Sequence, residues 1–126
     1  IKKENIYNDL RDFILLCQKL KLSGFVIGIK RHKKNSNYLS FSENGISINV
    51  NQIFNSKKDF TIETKKLIQL HKYVIRKKHK IYLCKDSLFS KKDIYFNYPN
   101  FKDFLKVKKK YDKKNLFFLD FLKKIS

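Results

Sequence analysis

The sequence predicts an α+β fold of the ferredoxin-like kind, with an antiparallel sheet, helices on one face and a helical extension at the C-terminus. Two observations predict it. In two long segments apolar residues recur every three or four positions, which is the helical period. Three short segments are either continuously apolar and β-branched or alternate apolar with polar residues, which is typical of strands. These segments come in the order helix, strand, strand, helix, strand. One more strand before Ile1 would complete the β-α-β-β-α-β unit.

The first half of the chain supplies one helix and two strands. An apolar face predicts a helix over about Asn5–Lys21, and Ser23-Gly24 ends it. Phe25–Lys30 is short, apolar and partly β-branched, which is typical of a strand. The polar segment His32–Asn37 predicts a loop. Gly45–Asn51 alternates apolar and polar residues, which predicts a strand with one face toward the core.

The second half supplies the remaining elements. The apolar spacing predicts a helix over about Thr61–Lys78, capped by Asp59 or Thr61, and a strand over Lys80–Cys84. Ser87–Phe96 predicts a short helix and a turn, and a proline-containing stop follows. A further helix is predicted from Phe101. The aromatic-rich residues 116–125 predict a terminal helix or arm.

Length and composition indicate one folded domain. The chain has 126 residues, of which 42% are apolar and 15% aromatic, and this excludes a disordered tail. No apolar run is long enough to span a membrane. Cys17 and Cys84 lack the spacing of a metal site, which favours reduced thiols in a cytoplasmic protein. Because the chain begins at Ile1, we expect it to be cut from a longer one.

The net charge of +19 is the strongest compositional signal, and taken alone it predicts binding to nucleic acid or to an anionic membrane. Two observations weaken the nucleic-acid interpretation. Only Arg11, Arg31 and Arg76 are arginine, the residue that pairs bidentately with phosphates and bases. The chain also has no alanine and few glycines, a skew typical of biased base composition. A small basic nucleic-acid-binding module is therefore the alternative function, not the preferred one.

One segment stands out as a candidate site. No phosphate-binding glycine loop, nucleophile elbow or metal motif is present, and the three histidines lack metal-like spacing. In Ile81–Ser87 a predicted strand ends in Lys85-Asp86-Ser87. Such a corner can present functional side chains, or it can be a plain turn in which Asp86 and Ser87 act as caps. The residues alone leave both interpretations open.

A family resemblance favours the functional interpretation. Ile81–Ser87 resembles the "YxxKDs" element of FAD-linked oxidases, the family that includes decaprenylphosphoryl-β-D-ribose 2-oxidase and the aldonolactone oxidases. Four other segments resemble that family in the same order: Phe25–Lys30, Gly45–Asn51, Tyr98-Pro99 with Phe101, and Tyr111–Asp120. The resemblance covers about Ser23 to the end of the chain. It departs from the family at Asp112-Lys113, which stands where the family has Asp-Pro, and at Asn49, which stands where the ribose oxidases have Cys.

The resemblance implies that residues 1–126 are a single C-terminal cap domain, whose partner is an N-terminal FAD-binding domain of the same chain. It implies an enzyme with FAD as cofactor that oxidises a hydroxyl of a sugar, a lipid-linked sugar or an aldonolactone, and a fragment that is inactive alone. Lys85 would be the catalytic residue and would also contact the flavin. Tyr82, Lys30, Ser47 and Asn49 would bind the substrate, although a solvated sheet face is the simpler interpretation of Ser47 and Asn49. Peripheral contact of the basic surface with an anionic membrane, and a remnant that only docks on a partner, remain open.

Overall fold

The computed structural model describes residues 1–22, 27–52, 54–85, 88–117 and 122. These residues form an antiparallel two-stranded sheet and four α-helices, the last of them near the C-terminus, so the predicted α+β class is confirmed. In chain order the elements are α1 (Ile6–Lys19), β1 (Ile27–His32), β2 (Gly45–Val50), α2 (Lys57–Arg76), α3 (Lys91–Asn97) and α4 (Phe101–Tyr111). None of the helices in this described part is long and apolar enough to cross a membrane.

The chain divides into two compact units, the first made of residues 1–34 and 42–79 and the second of residues 35–41 and 80–126. The first unit has a core that joins α1 and α2. Its buried members are Phe13, Cys17, Leu22, Leu70 and Tyr73. Ile48 and Val50 of β2 pack against these residues, so the predicted apolar face of that strand faces the core.

The second unit is built around α3 and α4. Its most buried side chains are Ile94, Tyr98 and Phe101, each at most 1% exposed. Ser90 begins α3 with a capping box, in which its hydroxyl accepts from the Asp93 amide and the Asp93 carboxylate accepts from the Ser90 amide.

The start of α2 differs from the prediction. The helix begins at Lys57, four residues before the expected Thr61, and its cap is Ser56, whose hydroxyl accepts from the Asp59 amide at 3.1 Å. The expected caps, Asp59 and Thr61, lie inside the helix. The first turn of α2 is exposed and therefore lacks the apolar spacing that marks a helix in a sequence.

The predicted strand at Lys80–Cys84 is wrong. Residues 80–82 have no regular secondary structure, and residues 83–85 form a turn. The Ile81 amide donates to the Asn97 side-chain oxygen at 3.1 Å, and the Ile81 carbonyl accepts from the Tyr98 hydroxyl. Because side chains at the end of α3 satisfy both backbone groups of Ile81, this residue needs no neighbouring strand.

The first predicted strand and the predicted C-terminal helix or arm are only partly covered by the described residues. The predicted strand residues Phe25 and Val26 lie outside the described residues, and β1 runs on to His32. Of the predicted C-terminal helix or arm, Leu116 and Phe117 are not helical. The rest of that segment, apart from the buried Leu122, lies outside the described residues.

Candidate functional site

The outer face of the sheet brings together three of the predicted site residues. In the antiparallel register Lys30 lies directly opposite Ser47, and Asn49 lies opposite Gly28. Directly opposite residues share one face of a sheet, and alternate residues of a strand do so too. Lys30, Ser47 and Asn49 therefore occupy one face, as the alternation in Gly45–Asn51 predicts.

This face is open and polar. Lys30 is exposed, whereas Ser47 and Asn49 are half-buried. A Cβ atom placed on Gly28 would meet no atom of the described residues within 4 Å, which leaves space beside Asn49 in this part of the structure. The face thus offers an ammonium, a hydroxyl and an amide within a small area, which suits a ligand that carries several hydroxyl groups.

His32 belongs to the same face, although the sequence predicts a loop at this residue. It is the last residue of β1, and its Nε2 lies 2.7 Å from Ser47 Oγ in a hydrogen bond. The hydrogen bond fixes the rotamer of Ser47. The signal that could have found His32 is the two-residue repeat Gly28, Lys30, His32, which continues the strand period.

The second unit holds the other two predicted site residues in one turn. The Lys85 amide donates to the Tyr82 carbonyl at 3.1 Å, which closes the turn. Leu83 is buried at 6% exposure, whereas Tyr82 and Lys85 are exposed. The buried leucine anchors the turn, and its neighbours are held outward.

The position of Tyr82 is fixed by contacts that the sequence does not reveal. Its ring packs on Phe41 with the ring centroids 4.5 Å apart. A hydrogen bond with the exposed Cys84 raises the pKa of the Tyr82 phenol. The phenol is thus still harder to ionise than an ordinary tyrosine, and its hydroxyl can act as a hydrogen-bond donor.

A cluster of titratable groups around the buried Asp9 lies elsewhere in the first unit. Asp9, 8% exposed, is 3.1 Å from Lys77 Nζ and 3.4 Å from His79 Nε2. His79 is 5% exposed. Its pKa is lowered to about 4, mainly by burial and next by the chain's amino terminus. The Lys77–Asp9 pair links α1 to the end of α2, and this is a structural role.

A groove of about 490 Å³ lies between α1 and α2, and it contains none of the predicted site residues. Its lining residues are Leu15, Leu16, Lys19, Gln69, Lys72, Tyr73 and Arg76. Within the described part of the chain, no group of three or more His, Cys, Asp or Glu residues could hold a metal ion.

Comparison of this chain with models of protein families, with curated proteins and with solved structures finds no match. The functional interpretation therefore rests on the two surfaces described above, the sheet face in the first unit and the Tyr82–Lys85 turn in the second. Asp86 and Ser87, the last residues of the motif that drew attention to this turn, lie outside the described residues.

Proposed function

We propose that this chain is the substrate-side domain of an FAD-dependent oxidoreductase that oxidises a hydroxyl of a sugar, a lipid-linked sugar or an aldonolactone. The observation that carries the proposal is the Tyr82–Lys85 turn. It holds an ammonium and a phenol outward at a corner anchored by Leu83. This turn stands in the segment that most resembles FAD-linked oxidases. The proposed partner is an FAD-binding domain that precedes residue 1 in the same chain.

The Lys85 ammonium suits a place beside a flavin. Among the residues that the structure describes, none forms an ion pair with Lys85. FAD, when bound, accepts a hydride and gains negative charge on its ring system. A fixed ammonium stabilises that charge more than it stabilises the uncharged ground state, and this difference lowers the barrier. Lys85 is therefore the proposed catalytic residue.

Each of the two surfaces offers its own candidate contacts for a polyhydroxylated substrate. On the sheet face, Lys30 and the Asn49 amide donate hydrogen bonds to hydroxyl oxygens, while Ser47 is oriented by His32. On the turn, considered by itself, the Tyr82 phenol can donate a hydrogen bond to a hydroxyl oxygen. Several weak, well-oriented hydrogen bonds are the usual means of recognising a polyhydroxylated ligand.

Replacement of Lys85 tests the catalytic role. In the protein expressed from its full reading frame, Lys85→Met should slow flavin reduction by the substrate about 100- to 1,000-fold, the usual effect of removing one group that stabilises developing charge. Stopped-flow absorbance measures this rate. Lys92→Met, which removes an exposed lysine of α3, serves as the matched control and should keep the wild-type rate. An unchanged rate in Lys85→Met would remove Lys85 from the mechanism.

A cytoplasmic location is part of the proposal. Cys17 and Cys84 are both free, and Cys84 is exposed, which suits a reducing compartment.

Nucleic-acid binding is the second candidate function, and the observation that favours it is the net charge of +19. Binding of that kind is dominated by phosphate contacts and weakens steeply as salt is added. A binding measurement with single-stranded RNA at increasing salt tests it, and no detectable binding at low salt would exclude this function.

A further inference from the structure

The segment from α4 to Phe117 combines dense positive charge with exposed apolar side chains. It contains seven lysines and only two aspartates. Lys102, Lys106 and Lys109 follow at spacings of four and three, which places them on one face of α4, and all three are exposed. We call the end of this segment, Lys109–Phe117, the α4 tip.

The two aspartates do not neutralise the exposed lysines of the tip. Asp103 pairs with Lys106 at 2.9 Å, and Asp112 pairs with the half-buried Lys108 at 2.6 Å. The four lysines of the tip, none of which is in either ion pair, are all exposed: Lys109, Lys110, Lys113 and Lys114. The positive charge of the tip is therefore available to an anionic partner.

Three large apolar side chains of the tip are among the most exposed in the protein. Tyr111 is 76% exposed, Leu116 76% and Phe117 77%. They alternate along the chain with the four exposed lysines, so any partner that covers them must also accept positive charge.

A defined turn holds these side chains. The Asp112 carboxylate accepts from the Leu116 amide at 2.7 Å and from the Phe117 amide at 3.1 Å. Asn115 adopts the left-handed conformation with φ 52°, which asparagine tolerates better than most residues. Leu116 and Phe117 are thus presented by an organised backbone.

We propose that the α4 tip docks the protein on an anionic lipid surface, with Leu116 and Phe117 inserted among the acyl chains and the lysines at the headgroups. Leucine and phenylalanine flanked by lysines are typical of segments that bind at the membrane interface. The lysine ammonium is a point charge, which suits an anionic surface without fixed binding geometry. Nucleic-acid recognition favours arginine, whose planar guanidinium pairs bidentately with phosphates, and the tip contains no arginine. The inference does not depend on the proposed flavin chemistry.

Vesicle sedimentation tests the proposal on this chain. The protein should bind phosphatidylcholine vesicles that contain about one-third phosphatidylglycerol and should not bind vesicles of phosphatidylcholine alone. The double variant Leu116→Ser/Phe117→Ser should weaken binding at least about ten-fold, because it removes the apolar burial. Replacing Lys109, Lys110, Lys113 and Lys114 by Gln should weaken it about five-fold for each lysine removed.

A matched quadruple variant on α2 distinguishes binding through the α4 tip from binding that depends only on the net charge of the protein. Lys57, Lys58, Lys65 and Lys72 are exposed, and their replacement by Gln removes the same charge. Binding should then fall less than about three-fold at about 0.15 M salt, because only the lysines beside Leu116 and Phe117 are held at the headgroups when these two side chains insert. An equal loss in both quadruple variants would show that only net charge acts and would overturn the proposal.

A fluorescent reporter tests insertion without removing the apolar side chains. The chain has no tryptophan, so Phe117→Trp introduces a single one. Its emission should shift to the blue when anionic vesicles are added, whereas Tyr7→Trp, at a residue 85% exposed on α1, should show no shift.

Two other outcomes would overturn the proposal. A blue shift of the Phe117→Trp protein that depends on its own concentration, without vesicles, would show that a second copy covers the tip. Binding of single-stranded RNA that the tip variants abolish, together with no binding to anionic vesicles, would assign the surface to nucleic acid.

Discussion

At the scale of single residues, the protein places polar groups by means of a few specific hydrogen bonds. His32 orients Ser47 on the sheet face, and the interaction with Cys84 raises the pKa of the Tyr82 phenol at the turn. Asp9 differs from these, because it is a buried carboxylate whose partner Lys77 lies 68 residues later in the chain. Only the carboxylate of this pair is buried, since Lys77 is exposed, and loss of Lys77 would leave the buried Asp9 charge with less compensation.

His79 predicts a dependence of stability on pH. Its pKa is about 4 in the folded protein and near 6.5 when unfolded, because burial disfavours the charged ring. Between these values the unfolded chain binds more protons, so the free energy of unfolding should decrease as pH falls from 6.5 to 4. The group's contribution is at most about 3 kcal/mol. The groups that act on it are Asp9, Lys77, Lys2 and the chain's amino terminus.

Urea unfolding at several pH values measures this effect. A His79→Leu variant retains every other titrating side chain and should lose stability less steeply over that window than the wild type. Equal slopes in the two proteins would contradict the assignment of a neutral, buried His79.

At the scale of the elements, local capping decides where helices begin. Ser56 satisfies the Asp59 amide at the start of α2, and Thr61 lies one turn inside the helix. Ser56→Ala should therefore lower the free energy of unfolding by about 1 kcal/mol. Thr61→Ala, the matched control at the cap expected from the sequence, should change it little, because alanine is a better helix former. Chemical denaturation compares the two variants, and a larger loss in Thr61→Ala would place the cap there.

The elements that could be predicted are those with a strong apolar period. The core face of β2, the burial of Phe13 and Cys17 on α1 and the grouping of Ser47 with Asn49 follow from the sequence. The burial of Asp9 and the exposure of Ile14 on α1 do not. The strand expected at Lys80–Cys84 could not be judged in this way. Its apolar residues are consistent with a strand, but the backbone of Ile81 is hydrogen-bonded to the side chains of Asn97 and Tyr98. Hydrogen bonds to side chains 16 and 17 residues away leave no pattern in the local sequence.

The candidate site, like the fold, could be predicted only where a local sequence pattern determines it. The alternation indicates that Ser47 and Asn49 share a face, but the pairing of Lys30 with Ser47 depends on the register of the two strands, which only the structure gives. The contact of Phe41 with Tyr82 and the burial of His79 depend on tertiary packing, which no local spacing encodes.

At the scale of the whole molecule, the excess of lysine must be explained together with the flavoenzyme proposal. The net charge of +19 destabilises a compact state through self-repulsion, and few acidic residues are present to offset it. The lysines of the α4 tip stand beside exposed apolar side chains, which distinguishes them from lysines that only solvate a surface. A domain that binds a lipid surface and a sugar substrate would suit a parent enzyme that acts on lipid-linked sugars.

The central claim is that this chain is the substrate side of a flavoenzyme, and the visible absorption spectrum of the protein expressed from its full reading frame tests it most directly. We predict a flavin spectrum that bleaches when a sugar-type alcohol is added without oxygen, because the substrate reduces the bound FAD. A colourless protein that cannot be reconstituted with FAD would contradict the claim.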